Sequence, residues 1–295
     1  MVELWSSRPV GIVGLGLIGG SLGLDLQALG VEVRALVHRE ATAERARQRG
    51  LATSVATEPE VLRDCGLVVL ALPLDRLLAP GPGLVQALPP QAVLTDVGSV
   101  KEPVARRWQA LAGARFVPGH PMAGTAQAGV EAGVPGLFRD RPWVATPSPQ
   151  TDPAALEAVR SLAEAVGARW LTCGAEDHDR AVALISHLPV LVGAALLQTA
   201  AAPAAPGGPS PSPPPALVRA LASSGFADTT RVGGGNPELG LLMARCNREA
   251  LLAALDRYRQ EMEHLDQLVR SEDWDSLAAV LQSSQVLRPE FLQGG

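Results

Sequence analysis

The sequence contains very little lysine and cysteine, and it has no cluster of basic residues. Lys101 is the only lysine in 295 residues, so any chemistry that needs a lysine depends on this one. Three scattered cysteines, Cys65, Cys173 and Cys246, suit neither a disulfide framework nor a metal site, and they fit a reducing cytoplasm. The net charge of −5, without a basic patch, argues against nucleic-acid binding.

The sequence also gives little sign of secretion or of membrane insertion. Residues 1–8 are polar and short, so we expect no signal peptide. The long apolar run at 181–202 contains His187 and Pro189 and follows charged residues at 177–180. We therefore predict a buried helix and no membrane contact. A chain of this length predicts two domains, at roughly 100–200 residues each.

Short β-rich runs alternate with helical stretches in residues 1–174, which is typical of a parallel sheet covered by helices. Asp152 and Pro153 predict a helix start, as an N-cap followed by proline at the first helical position. The predicted strands are 9–13, 31–37, 67–71, 92–96, 115–117, 143–146 and 169–172. The predicted helices between them include 41–49, 101–111 and 154–166.

The strand pattern stops after residue 174, and the rest of the chain, 175–295, predicts an all-helical domain. Residues 203–215 are rich in proline, glycine and alanine, so we expect an exposed loop there. The predicted helices are 176–202, 216–223, 237–270 and 274–284.

A glycine-rich motif lies directly after the first predicted strand. Gly14, Gly16 and Gly19 form G-x-G-x-x-G and open a helix. The glycines allow a tight turn, close approach of a pyrophosphate and close helix–strand packing, and the helix N-terminus favours the phosphates. This motif predicts a Rossmann-type dinucleotide-binding domain at 1–174. We expect the whole turn to contact the cofactor, including Leu15, Leu17 and Ile18.

The end of the second strand favours NADP over NAD. The strand tip carries His38 and Arg39, with Thr42 beyond, and the only nearby carboxylate is that of Glu40 in the following turn. An acidic residue at the tip would bind the ribose 2′-hydroxyl of NAD, whereas arginine accommodates the 2′-phosphate of NADP. A solvated surface arginine is the alternative interpretation of Arg39.

Other residues follow the carboxyl ends of predicted strands, where ligands bind in doubly wound folds. Leu72 and Pro73 follow strand 67–71, and we expect them to border the cofactor. Ser99 follows strand 92–96, and His120 lies between Gly119 and Pro121 after strand 115–117. We expect Ser99 and His120 to converge near the nicotinamide as catalytic residues.

Five segments of the chain, in this order, resemble the prephenate and arogenate dehydrogenases of tyrosine biosynthesis. SHLP and TRVGGGNPELG resemble most closely the short, NADP-dependent arogenate-using branch. The chain departs from the family in having Leu72-Pro73 where Thr-Pro is frequent, and in its long 203–215 segment. The five segments are GLGLIGGS (14–21), DVGSVK (96–101), GHPMAGT (119–125), DHDRAVALISHLPV (177–190) and SGFADTTRVGGGNPELG (224–240).

The resemblance implies a homodimeric enzyme that oxidises arogenate with NADP⁺ and releases CO₂ and tyrosine. His120 matches the catalytic histidine, and an ordinary pKa near 6.5 would let it accept the 4-hydroxyl proton. Ser99 would hold the same hydroxyl or orient His120. Arg231 matches the arginine that binds the ring carboxylate. His178 and His187 are candidates for lining the substrate pocket, with satisfied polar groups in a helical core as the alternative.

Three other functions fit parts of the sequence. Prephenate could be the preferred substrate, giving 4-hydroxyphenylpyruvate. A dehydrogenase of the 3-hydroxyisobutyrate type also begins with G-x-G-x-x-G, but it would need a lysine in the helical domain, where this chain has none. A non-catalytic NADP-sensing dimer would not need the pairing of His120 with Arg231.

Overall fold

A computed structural model describes residues 5–124, 128–202 and 213–292. Most of the predicted 203–215 loop therefore lies outside the described residues. A six-stranded, all-parallel sheet in the order β3-β2-β1-β4-β5-β6 dominates the N-terminal part. This is the strand order of a dinucleotide-binding fold, and it confirms the predicted Rossmann-type sheet. The strands are β1 (Val10–Val13), β2 (Val33–Leu36), β3 (Ser54–Ala56), β4 (Leu67–Leu70), β5 (Val93–Asp96) and β6 (Phe116–Val117).

Helices cover both faces of this sheet. The central strands β1 and β4 read VGIV and LVVL and are buried along their whole length, as expected for strands covered on two sides. Asp152 caps its helix as predicted, because its carboxylate accepts a hydrogen bond from Ala154 N–H at 2.8 Å. The helices are α1 (Leu17–Ala28), α2 (Glu40–Gln48), α3 (Leu74–Leu78), α4 (Pro82–Ala87), α5 (Glu102–Ala112) and α6 (Pro153–Ala165), with 3₁₀ turns at Pro59–Leu62 and Gly113–Arg115.

A second, three-stranded sheet contains two of the predicted strands, 143–146 and 169–172, and one strand that was not predicted, Gly119–Pro121. It consists of β7 (Gly119–Pro121), β8 (Pro142–Ala145) and β9 (Arg169–Thr172), with β7 antiparallel and β9 parallel to β8. The glycine and proline of β7 are poor strand formers, which explains why the sequence pattern concealed it. His120 is the central residue of β7 and lies opposite Val144.

The part of the chain after β9 is helical, as predicted, but two details differ. The predicted helix 237–270 is broken at Asn247, whose backbone (φ −120°, ψ 36°) leaves the helical region. The predicted helix 176–202 is continuous but contains a π-helical turn, Ala183–His187. The helices are α7 (Ala175–Val182), α8 (Leu188–Ala201), α9 (Pro215–Leu221), α10 (Ser224–Thr230), α11 (Pro237–Cys246), α12 (Arg248–Arg270) and α13 (Trp274–Leu292).

The prediction of a buried helix at 181–202 is wrong for the single chain. The continuous helix Ala175–Ala201 is long and apolar enough to span a membrane, but only 28% of its most apolar window is buried. Its first turns bind the N-terminal domain: Asp179 accepts hydrogen bonds from the backbone N–H groups of Lys101 and Glu102 at 2.7 and 2.8 Å. A buried carboxylate therefore attaches the start of this helix to the N-terminal domain.

A buried ion pair joins the two sheets. The Lys101 ammonium contacts the Asp96 carboxylate, and both side chains are fully buried. Lys101 also donates to the carbonyl of Gly119 at 2.6 Å, and Asp96 accepts from the N–H groups of Gly98 and Gly119 at 2.8 and 3.1 Å. The single lysine thus attaches the end of β5 to the start of β7, next to His120.

Replacing Lys101 by methionine is expected to destabilise the fold by about 3 kcal/mol, because it leaves the Asp96 carboxylate buried without its cation. Urea unfolding of the full-length protein measures the change. Arg160→Met is the matched control, since Arg160 forms an exposed ion pair with Glu164, and its removal should leave the unfolding midpoint unchanged. Equal midpoints for the two variants would contradict a structural role for Lys101.

Candidate active site

The glycine-rich turn has the geometry that a dinucleotide needs. Gly14 has a φ of +96°, and a Cβ there would lie 2.4 Å from the carbonyl oxygen of Ala71. A Cβ on Gly19 would lie 2.0 Å from the carbonyl oxygen of Gly14, whereas at Gly16 it would meet no described atom within 4 Å. Gly16 is thus open to a ligand, and it is the N-cap of α1 without a side-chain capping bond from any described residue. Pyrophosphate fits there, at the exposed N–H groups of α1.

The predicted residues of this turn and of the facing segment lie together. Leu15, Leu17 and Ile18 complete the turn into α1, and α1 begins at Leu17. Leu72 packs beside Gly14, with its Cδ2 3.5 Å from the place of a Gly14 Cβ, and Pro73 is the N-cap of α3. The structure therefore places the segment after β4 against the glycine turn.

The tip of β2 presents an arginine to solvent. His38 and Arg39 are exposed and Thr42 is half-buried, and Arg39 is the N-cap of α2. The nearby carboxylate of Glu40 forms an ion pair with Arg47 at 2.6 Å. Within the described ranges Arg39 makes no ion pair, so its guanidinium is available for an anion.

His120 and Ser99 lie at the edge of the sheet where the carboxyl ends of the strands meet. The Asp96–Lys101 pair holds the backbone of Gly119 directly before His120. Ser99 follows β5, and its buried hydroxyl has no hydrogen-bond partner in the described parts of the chain. A buried hydroxyl without a partner is costly, which favours a bound ligand as its partner.

His120 is the first member of a buried chain of hydrogen bonds. His120 Nδ1 lies 2.9 Å from His178 Nε2, and His178 Nδ1 lies 2.8 Å from Asp179 Oδ1. Asp179 lies in segment 177–190, which carries part of the family resemblance, but it was not predicted as a site residue. The sequence does contain a sign of this role, because Asp179 directly follows a histidine and precedes the long apolar part of the helix.

His187 ends the π-helical turn, and its neighbour Asn247 fixes its proton. The Asn247 amide N–H donates to the carbonyl of Asp179 at 2.7 Å and lies 3.2 Å from His187 Nδ1. The NH₂ group therefore faces His187, whose Nδ1 accepts, and the neutral imidazole carries its proton on Nε2. The buried Nε2 has no partner among the described residues, so it is a donor available to a ligand. Sequence reasoning missed Asn247, which lay inside a predicted helix.

The surroundings keep both His120 and His187 neutral near pH 7. Burial lowers the pKa of His120 well below 6.5, and the charge of the Lys101 ammonium lowers it further. Burial also lowers the pKa of His187 to about 4, although Asp179 opposes the shift. His120 therefore remains neutral, and able to accept a proton, at a lower pH than a histidine with the ordinary pKa that the sequence analysis assumed.

Arg231 is a predicted site residue that makes no polar contact with the histidines among the described residues. It follows α10 at an exposed position, and the described residues provide it with no hydrogen bond or ion pair. The turn after it is held tightly, because a Cβ on Gly233 would lie 2.2 Å from Ala194 N in α8. The guanidinium is thus presented on a fixed turn and is free to bind an anion.

Comparison with known proteins identifies two family domains along the chain. Residues 22–172 match the model described as "Prephenate dehydrogenase, nucleotide-binding domain". Residues 174–283 match "Prephenate dehydrogenase, dimerization domain". The first match begins within α1, after the glycine turn, and includes Ser99 and His120. The second match includes His178, His187 and Arg231.

Whole-chain relatives agree with these matches. A cyclohexadienyl dehydrogenase of Zymomonas mobilis is 32% identical over 95% of both chains. The crystal structure of Synechocystis arogenate dehydrogenase is 39% identical, with a TM-score of 0.80 over 96% of this chain and 99% of that one. Prephenate dehydrogenase from A. aeolicus, solved with hydroxyphenyl propionate and NAD⁺, is 27% identical, with a TM-score of 0.87 over 98% and 100%. With its glycine turn and buried histidine, the chain belongs to the prephenate and arogenate dehydrogenase family, and it is an oxidoreductase that uses a nicotinamide cofactor.

Proposed function

We propose that the protein oxidises arogenate with NADP⁺ and releases CO₂ and tyrosine. The observation that carries the proposal is the buried, neutral His120, at the ligand-binding edge of a nucleotide-binding sheet. Arogenate is favoured by the SHLP and TRVGGGNPELG segments and by the 39% identity to the Synechocystis arogenate dehydrogenase. Prephenate, which would give 4-hydroxyphenylpyruvate, is the second candidate, because other relatives carry that name.

The preference for NADP⁺ rests on the charges at the tip of β2. Arg39 is exposed and unpaired within the described chain, and Glu40 is bound by Arg47. A guanidinium there suits the 2′-phosphate, and no free carboxylate at the tip is aimed at the ribose. The glycine turn would hold the pyrophosphate, and bound NADP⁺ supplies the hydride acceptor.

His120 acts as the general base in this proposal. It accepts the proton of the 4-hydroxyl as the hydride leaves C4, which converts the alcohol carbon to a ketone. The resulting dienone loses its ring carboxylate as CO₂, because the electrons of that bond complete the aromatic ring. Ser99 supplies an unpartnered buried hydroxyl for the same substrate oxygen.

Two cationic or donor groups suit the carboxylates of the substrate. Arg231 positions the ring carboxylate through a planar bidentate donor, and this contact serves orientation because ground-state binding alone opposes CO₂ loss. The Nε2–H of His187 suits a second substrate oxygen. Both ring nitrogens of His178 form hydrogen bonds within the protein, to His120 and to Asp179. We therefore propose that His178 supports His120 and does not contact the substrate.

We also propose a soluble cytoplasmic homodimer joined through the helical part. Most exposed large apolar side chains lie after residue 174, including Ile185, Leu241 and Trp274. The buried core of the helical part is small, with Ala183, Leu188, Leu251 and Ala254 as its fully buried members. A second copy covering the exposed helix faces would account for both observations. The matched dimerisation domain supports this assembly.

The choice of substrate is tested by parallel kinetics. With NADP⁺ in excess, kcat/KM should be at least about tenfold higher for arogenate than for prephenate, since a charged hydrogen bond to the substrate ammonium contributes about 1.5–3 kcal/mol. Turnover is followed by NADPH absorbance at 340 nm and by chromatography of the aromatic product. A higher value for prephenate would replace the proposed activity with the second candidate.

The choice of cofactor is tested at Arg39. Arg39→Ala should raise KM for NADP⁺ about 10- to 100-fold and leave KM for NAD⁺ nearly unchanged, because only NADP⁺ carries the phosphate. Arg160→Ala, at an exposed arginine on α6, is the control and should change neither KM. Equal efficiency of the unchanged enzyme with NAD⁺ and NADP⁺ would remove the basis for this role.

The roles of His120 and Arg231 should separate kinetically. His120→Asn removes the base, so kcat should fall by ~10²–10⁴ with little change in KM. Arg231→Gln removes a positioning charge, so KM should rise most. The unchanged enzyme needs neutral His120, and the lowered pKa of His120 places the acid limb of log(kcat/KM) below pH 6.5. That limb should vanish in His120→Asn; a persistent limb would assign the base elsewhere.

A further inference from the structure

The hydrogen bonds from Asp179 to His120 have a fixed direction. A carboxylate accepts only, so His178 must carry a proton on Nδ1, 2.8 Å from Asp179 Oδ1. In a neutral His178, Nε2 then has the lone pair. His120 Nδ1, 2.9 Å away, must donate to it, and this leaves the lone pair of His120 on Nε2.

The charge of Asp179 has partners other than the His178 ring. The Asp179 carboxylate already accepts the N–H groups of Lys101 and Glu102 at the start of α5. These donors and the helix dipole stabilise its charge without a histidine cation. The buried ammonium of Lys101, paired with Asp96, already lies in this region, and a second buried cation would be costly.

We propose that His178, held by Asp179, is a positioning residue that keeps His120 in the tautomer with its proton on Nδ1. This inference rests on the proposed function of His120 as the base. The other neutral tautomer of His120 carries its proton on Nε2 and could not accept the substrate proton there. The His178 ring therefore sets which nitrogen of His120 does the chemistry.

The same hydrogen bond supports the proton transfer as it occurs. The O–H bond of the substrate breaks, its proton binds His120 Nε2, and the electron pair of that bond forms the second bond of the C4 carbonyl. The C4–H bond breaks at the same time, and its hydrogen would leave with both electrons as hydride, for which bound NADP⁺ would be the acceptor. His120 is then an imidazolium, and its Nδ1–H bond to His178 becomes charge-assisted and stronger. His178 thereby stabilises the product side of a transfer to a base whose cation is otherwise disfavoured by burial.

The tautomer can be observed directly in the full-length protein without substrate. The chain has five histidines, so long-range ¹H–¹⁵N spectra of histidine-labelled protein resolve each ring, and His120→Asn assigns the His120 signals. The expected result is a proton on Nδ1 of His120 in the unchanged protein. In His178→Phe the proton should move to Nε2, the tautomer that free imidazole side chains favour in water.

Kinetics of paired variants then separate positioning from packing. His178→Phe keeps an aromatic ring but has no acceptor, and kcat should fall by ~10²–10⁴, as for other changes that put a catalytic histidine in the wrong tautomer. His178→Gln offers an amide oxygen to His120 Nδ1–H, and its kcat should exceed that of His178→Phe at least about tenfold. KM for the substrate should stay within about threefold in both. His264→Gln, at an exposed histidine of α12, is the control and should match the unchanged enzyme.

Two results would overturn the inference. One is a proton on Nε2 of His120 in the unchanged protein, and the other is an equal kcat for His178→Phe and His178→Gln. The tautomer in the unchanged protein decides the matter even if His178→Phe does not fold. Because that spectrum needs no turnover, it stands apart from the proposed function, whose failure would show as absent activity with arogenate and prephenate.

Discussion

The Asp179 carboxylate is the point at which the helical region and the nucleotide-binding sheet become one site. Its two oxygens accept the first N–H groups of α5, which belongs to the sheet domain, and one of them also accepts the proton of His178. Its own carbonyl accepts the amide of Asn247, which ends α11. Without this residue the helix that carries His178 and His187 would lose its hydrogen bonds to the start of α5, and His178 would lose the acceptor of its Nδ1–H. The base and its support therefore exist only when both parts of the chain are docked.

Each buried charged side chain of the site has an ion-pair or hydrogen-bond partner. Lys101 and Asp96 neutralise each other, and Asp96 has two further N–H donors. Asp179 has three donors, two of them at a helix N-terminus. These groups balance one another's charge, and burial moves the pKa of His120 and His187 downward, so these two histidines remain uncharged near pH 7. A buried neutral imidazole is a weak base. Its accepting nitrogen nevertheless stays unprotonated throughout the neutral pH range, as a general base requires.

The sequence predicted those features that depend on neighbours along the chain. The glycine turn, the parallel sheet it implies, the Asp152 cap and the position of His120 after a strand all follow from local rules. It missed features that arise from contacts between distant segments. Strand β7 forms because Asp96 and Lys101 hold Gly119, although its residues are poor strand formers. Asn247 interrupts a run with good helical character because its side chain bonds to Asp179 and His187, 68 and 60 residues away.

The π-helical turn Ala183–His187 sets an angular relation between two surfaces. A regular α-helix advances about 100° per residue, and a π turn accommodates one residue more than an α turn. The helix can therefore direct Asp179 toward α5 at one end while Gly193, further along, meets Gly233 on the turn that presents Arg231. If the same residues were wound as a regular α-helix, the extra residue would rotate one surface against the other by about 100°. The π turn thus sets the helical phase between the surface that carries His178 and Asp179 and the surface that packs against the turn after Arg231.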